Sequence, residues 1–123
     1  MRGVVLGVLC AGLVATPAQA GMRSAQAFYA DVTALQAKGV GALFSGKIGP
    51  LKREGEAAGD YAQAMRRQAI ADGRPAPYCP PARNSFGQKE LMAGLGAMTR
   101  EHRERITIGD ALVRILGRYY PCR

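Results

Sequence analysis

The chain has 123 residues, with 17 basic and 9 acidic side chains and a formal net charge of +8 at pH 7. This length fits one small domain, and a basic surface favours anionic partners such as lipid headgroups, nucleic acid or an acidic protein surface. The basic residues are spread along the chain, which is more typical of a solvated surface than of a phosphate-binding track.

Residues 1–20 have the layout of a secretory signal peptide. Arg2 gives a positive start, an apolar run follows over residues 3–15, and an Ala-x-Ala sequence ends at Ala20. The apolar run is shorter than the roughly 20 residues that span a bilayer. The alternative is a buried N-terminal helix. We expect cleavage after Ala20 and a periplasmic or secreted single helical domain over residues 21–123, in which case nucleic acid is not the physiological partner.

The first predicted helix covers residues 25–38. Ser24 is a favourable N-cap, and Phe28, Val32 and Leu35 recur on one face at helical spacing. We expect this face to be buried.

A glycine-rich segment over residues 40–49 carries three large apolar side chains, Leu43, Phe44 and Ile48. We expect a loop that tucks these side chains into the core. The segment also contains a Gly-x-x-x-x-Gly-Lys spacing, but Ile48 occupies the position where a phosphate-binding loop needs Ser or Thr, and no strand precedes it. We therefore predict no nucleotide or other cofactor.

A second helix is predicted from Pro50 to about residue 72, with a stripe of mostly small residues that favours close packing on a neighbouring helix. Gly55 and Gly59 interrupt this helix. Each glycine costs up to about 1 kcal/mol relative to alanine, and the pair predicts a bend or a close helix crossing.

Two further helices are predicted from capping boxes, Ser85-x-x-Gln88 and Thr107-x-x-Asp110. The last helix has the widest apolar face in the chain, and Pro121 ends it. No segment alternates convincingly enough to predict a strand. The predicted fold class is all-α, a small bundle of about four helices with one disulfide.

Between the last two helices, residues 99–105 are wholly polar. The pattern favours a solvated turn with weak local ion pairs. The alternative is a charged docking patch, in which Arg100, His102, Arg103 and Arg105 would contact a protein partner.

Cysteine usage predicts a disulfide. Removing Cys10 with the leader leaves Cys79 and Cys122, and an even pair in an exported protein indicates a bridge. Closing a loop of this size contributes ~4 kcal/mol in the chain-entropy model. Two cysteines and His102 make a poor zinc site, which needs four ligands or three and a water, so no metal is predicted.

The same inventory argues against an enzyme. The predicted mature chain has one histidine, no free cysteine and no Gly-x-Ser-x-Gly motif. Its carboxylates occur in polar contexts rather than in apolar surroundings that would raise their pKa. We therefore predict neither catalytic nor cofactor-binding residues.

The C-terminal half carries a series of short motifs: Tyr78-Cys79-Pro80-Pro81, residues 85–98, Arg103, residues 106–112 and Tyr120-Pro121-Cys122. Together these motifs resemble the Rap/Tai immunity family. The resemblance implies a periplasmic, mostly helical, disulfide-bonded protein that blocks a peptidoglycan amidase effector of type VI secretion by protein–protein binding, often as a homodimer.

The alternative function follows from charge alone. Without Arg2 the chain has 16 basic and 9 acidic residues, a net charge of +7. This charge predicts a cationic periplasmic protein that associates with the anionic envelope or serves as a structural adaptor.

Overall fold

The structure of the protein, a computed structural model, describes residues 21–123, and this part of the chain is mostly helical. The predicted signal peptide lies outside the described residues. Six helical elements follow in order: α1 (Ala25–Ala37), a 3₁₀ helix (Gly39–Phe44), α2 (Ile48–Ala71), α3 (Gln88–Gly96), α4 (Arg100–Arg105) and α5 (Ile108–Tyr119). No β-strand occurs between residues 21 and 123, and the all-α fold class is confirmed. The four longer helices correspond to the four predicted ones.

Helix α1 forms as its sequence predicts. The Ser24 hydroxyl accepts a hydrogen bond from the Ala27 amide at 3.1 Å, which caps the N-terminus. Phe28 and Val32 are buried, and Leu35 packs on the same cluster from a half-buried position. Gly39, with φ of +55°, follows directly and turns the chain.

The N-terminus of α1 is joined to the N-terminus of α5 by backbone hydrogen bonds. The Ala25 amide donates to the Ile106 carbonyl at 2.8 Å, and the Ile108 amide donates to the Arg23 carbonyl at 3.1 Å. Residues distant in sequence are thereby held side by side at one end of the bundle.

Helix α2 begins at Ile48, two residues before the predicted start at Pro50. Its small residues Ala58 and Ala62 are buried, and α2 packs chiefly on α5. The close helix neighbour predicted from the small-residue stripe is therefore α5.

The predicted cap of α3 is wrong. The helix begins at Gln88, and its N-cap is Gly87, whose amide donates to a Glu90 carboxylate oxygen at 2.8 Å. Ser85 lies two residues too early. The sequence placed a good capping residue near the start, but the charged Glu90 side chain caps the backbone instead.

The polar segment predicted as a solvated turn forms the short helix α4. The Thr99 hydroxyl accepts a hydrogen bond from the His102 amide at 3.2 Å and caps it. The segment therefore forms a regular helix of about 1.7 turns rather than an irregular turn.

Helix α5 lies at the centre of the bundle and begins as predicted, because the Thr107 hydroxyl accepts from the Asp110 amide at 3.1 Å. The Asp110 carboxylate accepts a hydrogen bond from the Tyr61 hydroxyl at 2.7 Å, which links α5 to α2. The core cluster consists of buried side chains from four helices and two residues outside them, Tyr78 and Met98: Ala25, Phe28, Val32, Leu51, Ala58, Ala62, Tyr78, Leu91, Leu95, Met98, Ile108, Ala111, Leu112 and Ile115.

Two glycines permit close approaches to α5. A Cβ atom at Gly94 of α3 would lie 2.6 Å from the Ile115 side chain, and one at Gly117 would lie 2.8 Å from the Pro77 carbonyl oxygen. Contacts this short do not occur between real Cβ atoms, so the packing of α3 and of the segment after α2 requires glycine here.

The expectation that Leu43, Phe44 and Ile48 enter the core is wrong. Leu43 and Phe44 are 71% and 90% exposed, and Ile48 is also exposed. The 3₁₀ helix contains no buried residue, and its large apolar side chains face solvent.

The predicted disulfide is present. Cys79 and Cys122 are bonded, with their Cα atoms 5.0 Å apart, and the Cys79 amide donates to the Tyr120 carbonyl at 2.8 Å. The bridge joins the segment before α3 to the residues after α5. Within residues 21–123, no helix is both long and apolar enough to cross a membrane.

Candidate functional site

The four residues predicted as partner contacts separate into different environments. Arg100 and Arg105 are exposed, and His102 is half-buried. Arg100 pairs with Glu104 one turn later, at 2.9 Å between Nε and Oε1. The structure therefore places two of the predicted cations on an accessible surface of α4.

Arg103 is buried, with 9% of its surface exposed. Its Nη1 donates to the carbonyls of Leu95, at 2.8 Å, and of Met98, and its Nε donates to the Gln26 amide oxygen at 2.7 Å. Its guanidinium also lies 4.3 Å from the Tyr29 ring centroid. Arg103 therefore joins α1, α3 and α4 internally, and we do not retain it as a partner contact.

An apolar surface is found where the sequence predicted core. Val40, Leu43 and Phe44 on the 3₁₀ helix, hereafter the apolar turn, are 82%, 71% and 90% exposed. Apolar groups on the surface are common singly, but neighbouring large ones often mark binding sites.

The apolar turn is held in a defined shape by its own backbone. Gly39 and Gly46, at its two ends, have φ of +55° and +69°, a region that favours glycine. The Ser45 hydroxyl donates to the Ala42 carbonyl at 2.7 Å and accepts from the Lys47 amide at 3.3 Å. The exposed side chains are therefore presented by an ordered turn.

A second feature is a pocket of about 650 Å³ between α1, α2, α5 and the segment that leads into α3. A volume in this range is typical of small-molecule sites. Its wall contains buried apolar side chains from all of these elements: Phe28, Val32, Leu51, Tyr78, Leu91 and Leu112. Five polar side chains that line it are exposed: Lys52, Glu56, Gln63, Asn84 and Gln88. Tyr120 also lines it, and its hydroxyl is buried without a hydrogen-bond partner among residues 21–123. The pocket thus has an apolar interior and a polar rim.

The disulfide lies beside this pocket. Tyr78 and Pro80, which flank Cys79, and Tyr120, two residues before Cys122, all line it. The bridge and the Cys79–Tyr120 hydrogen bond hold these two segments together. One wall of the pocket is therefore fixed by these two bonds.

Tyr78 is also held from α2. The Arg66 Nε donates to the Tyr78 carbonyl at 3.0 Å, and the Arg66 guanidinium lies 6.0 Å from the Tyr78 ring centroid. Burial raises the pKa of the Tyr78 phenol, and the charges of Arg66 and Arg67 lower it by less. The phenol is therefore neutral at neutral pH and adds no charge to the pocket.

Between residues 21 and 123, no three His, Cys, Asp or Glu side chains come together in a group that could hold a metal ion.

Sequence reasoning missed both the apolar turn and the pocket. The available signals were Gly55 and Gly59, which line the pocket, and the glycines at each end of the apolar turn. A glycine in the sequence does not indicate whether the apolar side chains near it face the core or solvent.

Comparison with family models, with curated proteins and with solved structures finds no match to this chain.

Proposed function

We propose that the protein is an exported binding protein and not an enzyme, and that it acts as an immunity-type inhibitor of a peptidoglycan amidase effector. The leader-like residues 1–20 and the disulfide support an oxidising compartment outside the cytoplasm. The C-terminal motifs that resemble the Rap/Tai immunity family support the choice of partner.

The observation that carries the proposal is the exposure of Leu43 and Phe44 on the apolar turn. A narrow, ordered turn with an aromatic side chain at its end suits insertion into the groove of another protein. Buried aromatic anchors commonly dominate such interfaces. Removing the Phe44 side chain should weaken the complex. It removes no part of the core, because this side chain is exposed.

The test replaces Phe44 by aspartate. We expect Phe44→Asp to weaken the complex with a peptidoglycan amidase effector by at least about tenfold, because one anchoring side chain is lost. Calorimetric titration measures the affinity, and survival of cells that express the effector in the periplasm measures protection.

Ile70→Asp is the matched control, because Ile70 is an exposed apolar residue of α2 outside the apolar turn. This variant should bind and protect as the wild type does, and both variants should keep the wild-type melting temperature. Full protection by Phe44→Asp, or lysis without any complex in the wild type, would contradict the proposal.

The second candidate is a cationic protein that associates with the anionic envelope. The excess of 16 basic over 9 acidic residues after Arg2 supports it, as does the exposure of Arg100 and Arg105 on α4. Such binding would depend on salt, whereas binding through the apolar turn would not.

A further inference from the structure

Two glycines of α2 are unexplained by packing within the described residues. A Cβ atom added at Gly55 or at Gly59 would meet nothing within 4 Å. This contrasts with Gly94 and Gly117, where a Cβ atom would clash at 2.6 and 2.8 Å. The close helix crossing that Gly55 and Gly59 predicted is therefore absent at these two positions.

The empty space beside these glycines is the pocket. Gly55 and Gly59 both line it, and they lie one turn apart on the same face of α2 as Leu51 and Ala62. Glycine weakens a helix, and it has no side chain. At these two positions of the core-facing stripe it leaves the pocket wide, whereas the side chain of alanine or leucine would narrow the pocket.

The distribution of polarity indicates the kind of occupant. The buried wall is made of aliphatic and aromatic side chains such as Phe28, Leu51 and Leu112, whereas the polar rim is exposed. Among the described residues, the rim carries one acidic side chain, Glu56, and Lys52 is the one basic side chain in the lining. Such a site suits a molecule with an apolar body and one polar end, because the body leaves water while the polar end keeps its hydrogen bonds.

We propose that this pocket binds the hydrocarbon chain of a single-chain fatty acid, with the carboxylate at the rim beside Lys52. The chain fills the space over Gly55 and Gly59 and contacts the wall that the disulfide holds in place. This inference does not depend on the proposed inhibitor function, which uses the apolar turn.

Sodium myristate, kept below its micelle concentration, is the probe. We expect saturable binding of one molecule with a Kd of about 100 µM or lower, the affinity that one myristoyl chain has for a bilayer. Calorimetric titration measures the Kd, and backbone amide NMR shifts should be largest around Gly55 and Gly59.

Gly59→Leu tests the location. We expect this variant to fold with a melting temperature equal to or above that of the wild type, because leucine favours a helix and meets open space, and to bind myristate at least about tenfold more weakly. Gly55→Leu should behave in the same way. Ala57→Leu, which adds the same side chain to an exposed position of α2 that does not line the pocket, should bind as the wild type does.

Three results would overturn the proposal: no myristate binding by the wild type, equal binding by Gly59→Leu, or equal weakening by Ala57→Leu. If myristate does not bind and Gly59→Leu instead abolishes self-association or an effector complex, the occupant is a protein and the proposal is wrong.

Discussion

Arg103 shows how little a charged residue's sequence context says about its position. It lies in a run of polar residues, yet its guanidinium is buried. The guanidinium donates hydrogen bonds to two carbonyls at the end of α3 and to the Gln26 amide oxygen on α1. Arginine suits this role because its planar group presents several donors in fixed directions. Burying the guanidinium costs desolvation, but removing it takes a donor from each of two buried carbonyls, which also costs stability.

We expect Arg103→Met to lower the free energy of unfolding by about 2–3 kcal/mol, since the buried Met98 and Leu95 carbonyls each lose a charged donor. The Leu95 carbonyl keeps the hydrogen bond from the Met98 amide, at 3.1 Å. Arg105→Met, two residues later and exposed, should change it by less than about 0.5 kcal/mol. Urea unfolding followed by circular dichroism compares the two. Equal stability of both variants would mean that Arg103 makes no net contribution to folding.

Among the elements, the apolar turn and the disulfide-bonded segments are fixed by different means. The turn has glycines in left-handed conformations at both ends and few core contacts. The segments around Cys79 and Cys122 have a covalent bond across 43 residues of sequence and a backbone hydrogen bond beside it. The bridge therefore stabilises a stretch that no regular helix covers.

We expect the double variant Cys79→Ser/Cys122→Ser to lose roughly 3–4 kcal/mol of stability, which lowers the melting temperature by about 10 °C or more in a domain of this size. The double variant avoids a free thiol that could cross-link two molecules. Differential scanning calorimetry measures the change, and reduction of the wild type should reproduce it. An unchanged curve for the double variant would show that the bridge contributes nothing.

For the molecule as a whole, the basic excess is the property most relevant to the second candidate function. Positive charge attracts the protein to anionic surfaces, and each Lys or Arg near such a surface contributes about 1 kcal/mol at moderate salt. The attraction does not require a particular site, so it is separable from the pocket and from the apolar turn.

If the envelope-binding function holds, the protein should sediment with phosphatidylglycerol vesicles at about 10 mM salt and be released near 500 mM, because screening shortens the range of the charges. Neutral phosphatidylcholine vesicles are the control and should bind none at either salt concentration. Arg100→Gln/Arg105→Gln should lower the fraction bound, while Phe44→Asp should change it less. The absence of sedimentation at low salt would reject this function.

The sequence alone determined the helical class, the positions of α1, α2 and α5 and the disulfide pair. These depend on local rules: apolar side chains at helical spacing, hydroxyl caps such as Ser24 and Thr107, and the even pair of cysteines that remains when the predicted leader is set aside. The predicted start of α3 was wrong, because the Gly87 amide donates to the Glu90 carboxylate and Ser85 lies two residues before this N-cap.

Only the tertiary structure decided which side chains face inward. Leu43 and Phe44 are apolar residues of the types usually found in cores, yet they are exposed. Arg103 is a charged residue of a type usually found on surfaces, yet it is buried. Gly55, Gly59 and Gly94 are all glycines within helices, but Gly55 and Gly59 face a pocket, whereas Gly94 faces a packed helix. Burial depends on how distant elements meet, and the spacing of residues along one helix does not contain that information. The disulfide was thus predictable as a bond, but its place in the wall of the pocket was not.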